Sequence, residues 1–155
     1  MIELHYLHRN VTSITVTDPS DDTEITFASV CAHVYKDSPC LLQTAVDFLT
    51  DELDTNFADT DPHNSVSNQG ARTPYGGFID AVTVMGLMNR VGDNVLSAKA
   101  FMNTYLLNNT VNEDYDMARK SALWEKKFIE TMHEFNKTTE HINIFFQAEV
   151  SSDFL

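Results

Sequence analysis

Positive charge is scarce in this chain: ten lysines and arginines stand against twenty-three aspartates and glutamates, a formal net charge of -13. A surface field of that sign repels phosphate backbones and anionic membrane faces, so no nucleic-acid partner is expected. Long apolar runs are missing too. No stretch approaches the roughly 18 to 20 uninterrupted apolar residues of a membrane helix, and Met1-Ile2-Glu3-Leu4-His5 is neither a basic leader segment nor the start of an apolar one. As written, the chain is expected to be soluble and without an export signal. Cysteine occurs only twice, at Cys31 and Cys40. A zinc site wants three or four ligands and His33 is the only histidine between them, so the spacing suits a local disulfide better. No serine sits in a G-x-S-x-G elbow, neither cysteine lies in a catalytic signature, and Gly76-Gly77 is too short for a phosphate loop. Catalytic, metal and cofactor residues are therefore all expected to be absent, and the chain is not expected to be an enzyme.

What is present fits one domain. With 155 residues, 43% of them hydrophobic, there is enough for a single core over residues 1–155. Leu4, Leu7, Val11 and Ile14 recur at spacings of three, four and three and predict a helical face, while the β-branched run from Val11 to Val16 reads equally as strand. Thr17-Asp18-Pro19-Ser20-Asp21-Asp22 is a turn by composition. Ser38 as N-cap and Pro39 at the first helical position predict a helix over residues 39–53. Residues 54–75 form a long polar loop without any period. Residues 81–88 and 95–107 read as strands, the second with Leu96, Ala98, Ala100, Met102 and Leu106 on its apolar face. Met117, Ser121, Trp124, Phe128, Met132 and Phe135 predict a long amphipathic helix over 113–135, and residues 142–148 alternate like a closing strand. Strand, strand, helix, strand is an α+β order. Trp124, Phe128 and Met132 are expected in the core, against a sheet of the 95–107 and 142–148 strands.

Few side chains suggest chemistry. His5 and His8 are three apart on the first helix but lack a third ligand, so they read as exposed histidines. Asp59, Asp61 and His63 alternate as in a calcium loop, but no glycine follows at the sixth position and Gly70 stands where the bidentate glutamate belongs. The acidic surplus reads as solvated surface. Asn10-Val11-Thr12, Asn108-Asn109-Thr110 and Asn136-Lys137-Thr138 are sequons, each able to accept a glycan in a secretory lumen. Sequons and cysteine spacing both point to an oxidising compartment.

Several stretches, in one order from about residue 27 to the end, resemble the first large extracytoplasmic loop of the Patched and Niemann-Pick type C transporters, built on the resistance-nodulation-division plan. Phe27-Ala28-Ser29-Val30-Cys31 and Pro39-Cys40-Leu41-Leu42 look like its aromatic-x-x-x-Cys segment and second cysteine. Gly76-Gly77 followed by Leu96-Ser97-Ala98-Lys99-Ala100-Phe101 is similar to its double glycine and Ala-Lys-Ala strand. Ala122-Leu123-Trp124-Glu125-Lys126-Lys127-Phe128 resembles the helix motif that follows, and Ser151-Ser152-Asp153-Phe154-Leu155 its acidic serine segment. The resemblance implies a ferredoxin-like porter-type α+β subdomain on the luminal or extracellular face of a membrane, in a protein that moves or senses sterols or other lipids. Its implied partners are a second luminal domain and a transmembrane bundle. No such bundle is in this sequence, and the strand expected before the first helix is missing, so the chain reads as an excised loop. That gap predicts weak self-association through an unpaired edge. The competing readings are a free-standing secreted binding protein and a small metal-dependent hydrolase.

Overall fold

The computed structural model describes residues 2–48, 71–72, 78–92, 94–108 and 115–148. The loop expected over 54–75 lies outside them except for Ala71 and Arg72, as do Asp59, Asp61, His63, Gly76, Gly77 and residues 149–155. The chain divides into two compact units, Met1–Ala32 with Leu107–Leu155, and His33–Leu106.

In the first unit, α1 (Ile2–Thr12) is followed by β1 (Thr15–Thr17) and β2 (Glu24–Thr26), then by the single turn α2 (Phe27–Val30). Both openings left by residues 11–16 are realised in turn: Leu4, Val11 and Ile14 are buried, and the chain then leaves the helix for a strand. β1 and β2 form an antiparallel hairpin with Val16 opposite Ile25. The polar turn between them closes through Asp18 N–H to the Thr23 carbonyl at 2.8 Å, with Asp22 in the left-handed region at φ 57°. Asp tolerates that region better than most residues.

A 24-residue helix, Tyr115–Thr138, supplies the other side of this unit and touches α1, α2, β1 and β2. Of its apolar stripe, Ser121, Trp124 and Met132 are buried as expected, whereas Phe128, expected in the core, is half-buried, as are Met117 and Phe135. Trp124 packs on Phe27 at a ring-centroid distance of 5.4 Å and on Phe128 at 5.8 Å, and its indole N–H donates to the Ile14 carbonyl at 3.3 Å. A buried indole needs such an acceptor. Ser121 Oγ donates to the Asn108 carbonyl, whose own N–H donates to Val30, while Leu107 bridges Cys31.

Residues 142–148 form no strand, which corrects the closing strand expected there. They lie beside the long helix with Ile142, Ile144, Phe146 and Ala148 half-buried and Asn143, Phe145 and Gln147 exposed. Their period of two reflects one face turned to a helix. Phe146 meets Phe128 edge-on at 6.2 Å and His133 at 4.8 Å.

The second unit holds β3 (Leu42–Gln43), a 3₁₀ turn (Ala45–Phe48), β4 (Ala71–Arg72), β5 (Phe78–Ile79), the single turn α3 (Ala81–Val84), and β6 (Met85–Gly86). β7 (Asn89–Val91), β8 (Asn94–Ser97), β9 (Ala100–Phe101) and β10 (Thr104–Tyr105) complete it. The helix of the first unit at Tyr115–Thr138 is α4. No helix starts at Pro39. The Leu41 carbonyl accepts from Leu106 N–H, and Leu42 and Gln43 pair with Tyr105 and Thr104, so these backbone groups are committed to a strand. The single strand expected over 81–88 is half helix, because the Asp80 carboxylate accepts the Val82 N–H and caps α3.

The strand expected over 95–107 is three short ones that change partner: β8 pairs with β7, β9 with β6 and β10 with β3. Each change of partner breaks the alternation that a single neighbour would enforce. Val95 is buried, whereas Leu96, Ala100, Met102 and Leu106 of the expected inward face are exposed. Val95 lies with Ile79, Ala81, Val84, Met85 and Ala45 among the buried residues of this unit. The described strands make five antiparallel two-stranded pairs. The class is α+β, and among the described residues the strands remain in separate two-stranded pairs.

Candidate functional site

Two surfaces stand out, one in each unit. In the first, the β1–β2 turn is bound to α4 by ion pairs. Asp18 is fully buried and receives Arg119 in fork-to-fork geometry, Nη1 to Oδ1 and Nη2 to Oδ2, each at 2.6 Å. Oδ1 also accepts from the N–H and hydroxyl of Ser20. Arg119 Nη2 turns as well to Asp116 at 2.7 Å, and Lys120 lies 2.8 Å from Asp116 and 3.9 Å from Asp21. Hydrogen bonds from Arg119 hold the Asp18 carboxyl well below the usual carboxylate range, against the opposing effect of burial. The same bonds raise Arg119 further above its ordinary value. With every carboxylate here facing a cation or a hydroxyl, the cluster fastens a turn to a helix and presents no unmatched group for catalysis. Nothing in the local sequence marks this pair, because its members are 101 residues apart.

In the second unit several apolar side chains are exposed. Leu87 is 77% exposed, and Val91, Leu96, Phe101 and Met102 are exposed as well. Leu87 has φ 51°, a left-handed conformation that costs a branched-chain residue about 1–2 kcal/mol. With Met88, Asn89, Ser97 and Lys99 it lines an open depression of about 520 Å³. Val91 and Asn94 face each other across the tight end of the β7–β8 hairpin, where Gly92 takes φ 62°. Arg90 and Lys99 stand exposed on the same stretch. An exposed apolar set with cations beside it suits contact with another surface better than turnover of a small molecule.

Cys31 and Cys40 are bonded to each other, so neither sulfur is a thiolate available to a metal. Cys31 is buried and Cys40 half-buried. His33 donates through Nδ1 to the Ser38 carbonyl at 2.5 Å. His5 and His8 are half-buried on α1 rather than fully exposed, because α1 turns toward α2 and α4. All three sequon asparagines fall in the first unit: Asn10 and Asn136 exposed, Asn108 half-buried. Among the described residues no helix is long and apolar enough to cross a membrane.

Comparison with known proteins gives one family. Residues 55–150 match the model of the family described as NPC1, middle luminal domain. No curated protein matches the chain.

Proposed function

The chain belongs to the NPC1 middle luminal domain family, and from that membership we propose that it serves a Patched-like lipid or sterol transporter or receptor by binding and domain packing, without catalysis. The family places it on the luminal side of a membrane as part of an NPC1-like protein. The single observation that carries the proposal is the match over residues 55–150. Five exposed apolar side chains of the second unit, Leu87, Val91, Leu96, Phe101 and Met102, support it, since exposed apolar groups suit contact with another surface. Its proposed partners are a second luminal domain and the transmembrane bundle of the parent protein, with a sterol or lipid as the transported ligand.

Sequencing the transcript tests this. The expected result is apolar segments of about 20 residues encoded upstream of Met1 and downstream of Leu155. In-frame stop codons close on both sides would overturn it in favour of a free-standing binding protein.

A further inference from the structure

The three sequons differ in what the fold does with their side-chain amides. Asn10 spends its Nδ2 on the Tyr6 carbonyl at 2.8 Å, one turn back in α1. Asn108 is half-buried, with its backbone N–H on Val30 and its carbonyl accepting from Ser121. Asn136 is arranged the other way round. It is exposed in the last turn of α4, and its Oδ1 accepts the Ile144 N–H at 3.2 Å. A backbone N–H can only donate, so the amide is oriented with oxygen inward, and among the described residues its Nδ2 makes no hydrogen bond.

N-glycosylation substitutes that nitrogen and leaves the oxygen free to accept. The residue after Ile144 is Phe145, whose side chain is 94% exposed, the most exposed of the large apolar residues described. Ile144 and Phe146 on either side turn to the helix, and Phe145 is left without cover.

We propose that Asn136 is an N-linked glycan site, that its Oδ1 keeps the Ile144 hydrogen bond in the modified chain, and that the first sugar lies over Phe145. In the transfer, Nδ2 bonds to the anomeric carbon of an oligosaccharide. The bond from that carbon to a lipid-linked pyrophosphate breaks, the pyrophosphate leaves with the electron pair, and one amide proton is lost to a base. The modification breaks no hydrogen bond seen among the described residues, because the side-chain atom it uses is the nitrogen and the Ile144 bond uses the oxygen. The apolar face of the sugar ring supplies the cover that Phe145 lacks, as the chemistry of carbohydrate on aromatic surfaces favours. The hydroxyl of Thr138, which donates to the Phe135 carbonyl at 2.9 Å, is exposed and completes the sequon.

The inference rests on the luminal placement proposed above, so the test imposes that placement with a secretion leader in cells that attach N-glycans. Peptide mapping after enzymatic glycan release should show Asn136 converted to aspartate. Thr138→Ala should abolish modification at Asn136 while leaving its amide in place, and Thr138→Ser should retain it. An unmodified Asn136 in the secreted, folded chain overturns the site and leaves the family reading untouched. Removing the glycan should lower the melting temperature of the parent more than that of Phe145→Ala. Equal lowering in the two would overturn the placement of the sugar on Phe145.

Discussion

Asp18 shows how one residue can decide a local structure. Its pKa is lowered on folding, chiefly by the Arg119 hydrogen bonds, so its contribution to stability is complete above the unfolded carboxylate range and is lost as pH falls below about 4. Asp21 and Asp116 are lowered in the same direction, by Thr23 and by Lys120 respectively. Thermal melts from pH 7 down to pH 3 should therefore show this cluster holding through pH 5 and failing in stronger acid. Asp18→Asn should melt lower at neutral pH, with the gap to the parent narrowing below about pH 4. A gap that widened in acid would contradict the assignment. Trp124, the one tryptophan of the chain, is 2% exposed. Trp124→Ala should cost about 3–5 kcal/mol in denaturant unfolding. Phe128→Ala should cost less than that, because Phe128 is half-buried and the full core penalty does not apply to it.

At the level of elements, α4 was legible because its stripe repeats over many turns, and a long repeat outvotes local ambiguity. The short elements were not. Residues 81–88 carry apolar side chains that suit a strand, yet the Asp80 cap makes a helical turn of the first four. Residues 142–148 alternate as a strand does, and the alternation comes from packing on a helix. Periodicity reports which side chains turn inward, and it is silent about what they turn toward. The turn between β6 and β7 holds Leu87 at φ 51° with most of its side chain in solvent. Leu87→Gly should raise stability by about 0.5–1 kcal/mol, the relief of left-handed strain exceeding the added freedom of the unfolded chain. A loss of stability would mean that this side chain has a packing role in the unit.

Across the whole molecule, the disulfide and the net charge set the conditions in which the chain works. Joining Cys31 to Cys40 closes a short loop, and replacing both by serine should cost about 2.5–3 kcal/mol on the loop-entropy estimate, measured by denaturant unfolding without reductant. A net charge of -13 opposes close approach of two copies, whereas the exposed apolar residues of the second unit favour it. We propose weak self-association as the balance of the two. Sedimentation at several protein concentrations should show it strengthening as salt screens the acidic surface, and a chain that stays monomeric at high concentration and high salt would refute it.

Sequence by itself determined the α+β class, the long helix with its Trp124 stripe, the acidic character and the order of motifs that points to the luminal family. These properties are carried by composition, by patterns within a few turns of chain, or by the order of short motifs along it. Tertiary structure decided the rest. The Asp18–Arg119 pair joins residues 101 apart, three short strands over 94–105 take three different partners, and Asn136 directs its oxygen at Ile144, which leaves its nitrogen without a hydrogen bond among the described residues. In each of these the outcome depends on which distant backbone or charge arrives alongside. A local pattern holds no information about that, because it is fixed only when the whole chain has packed.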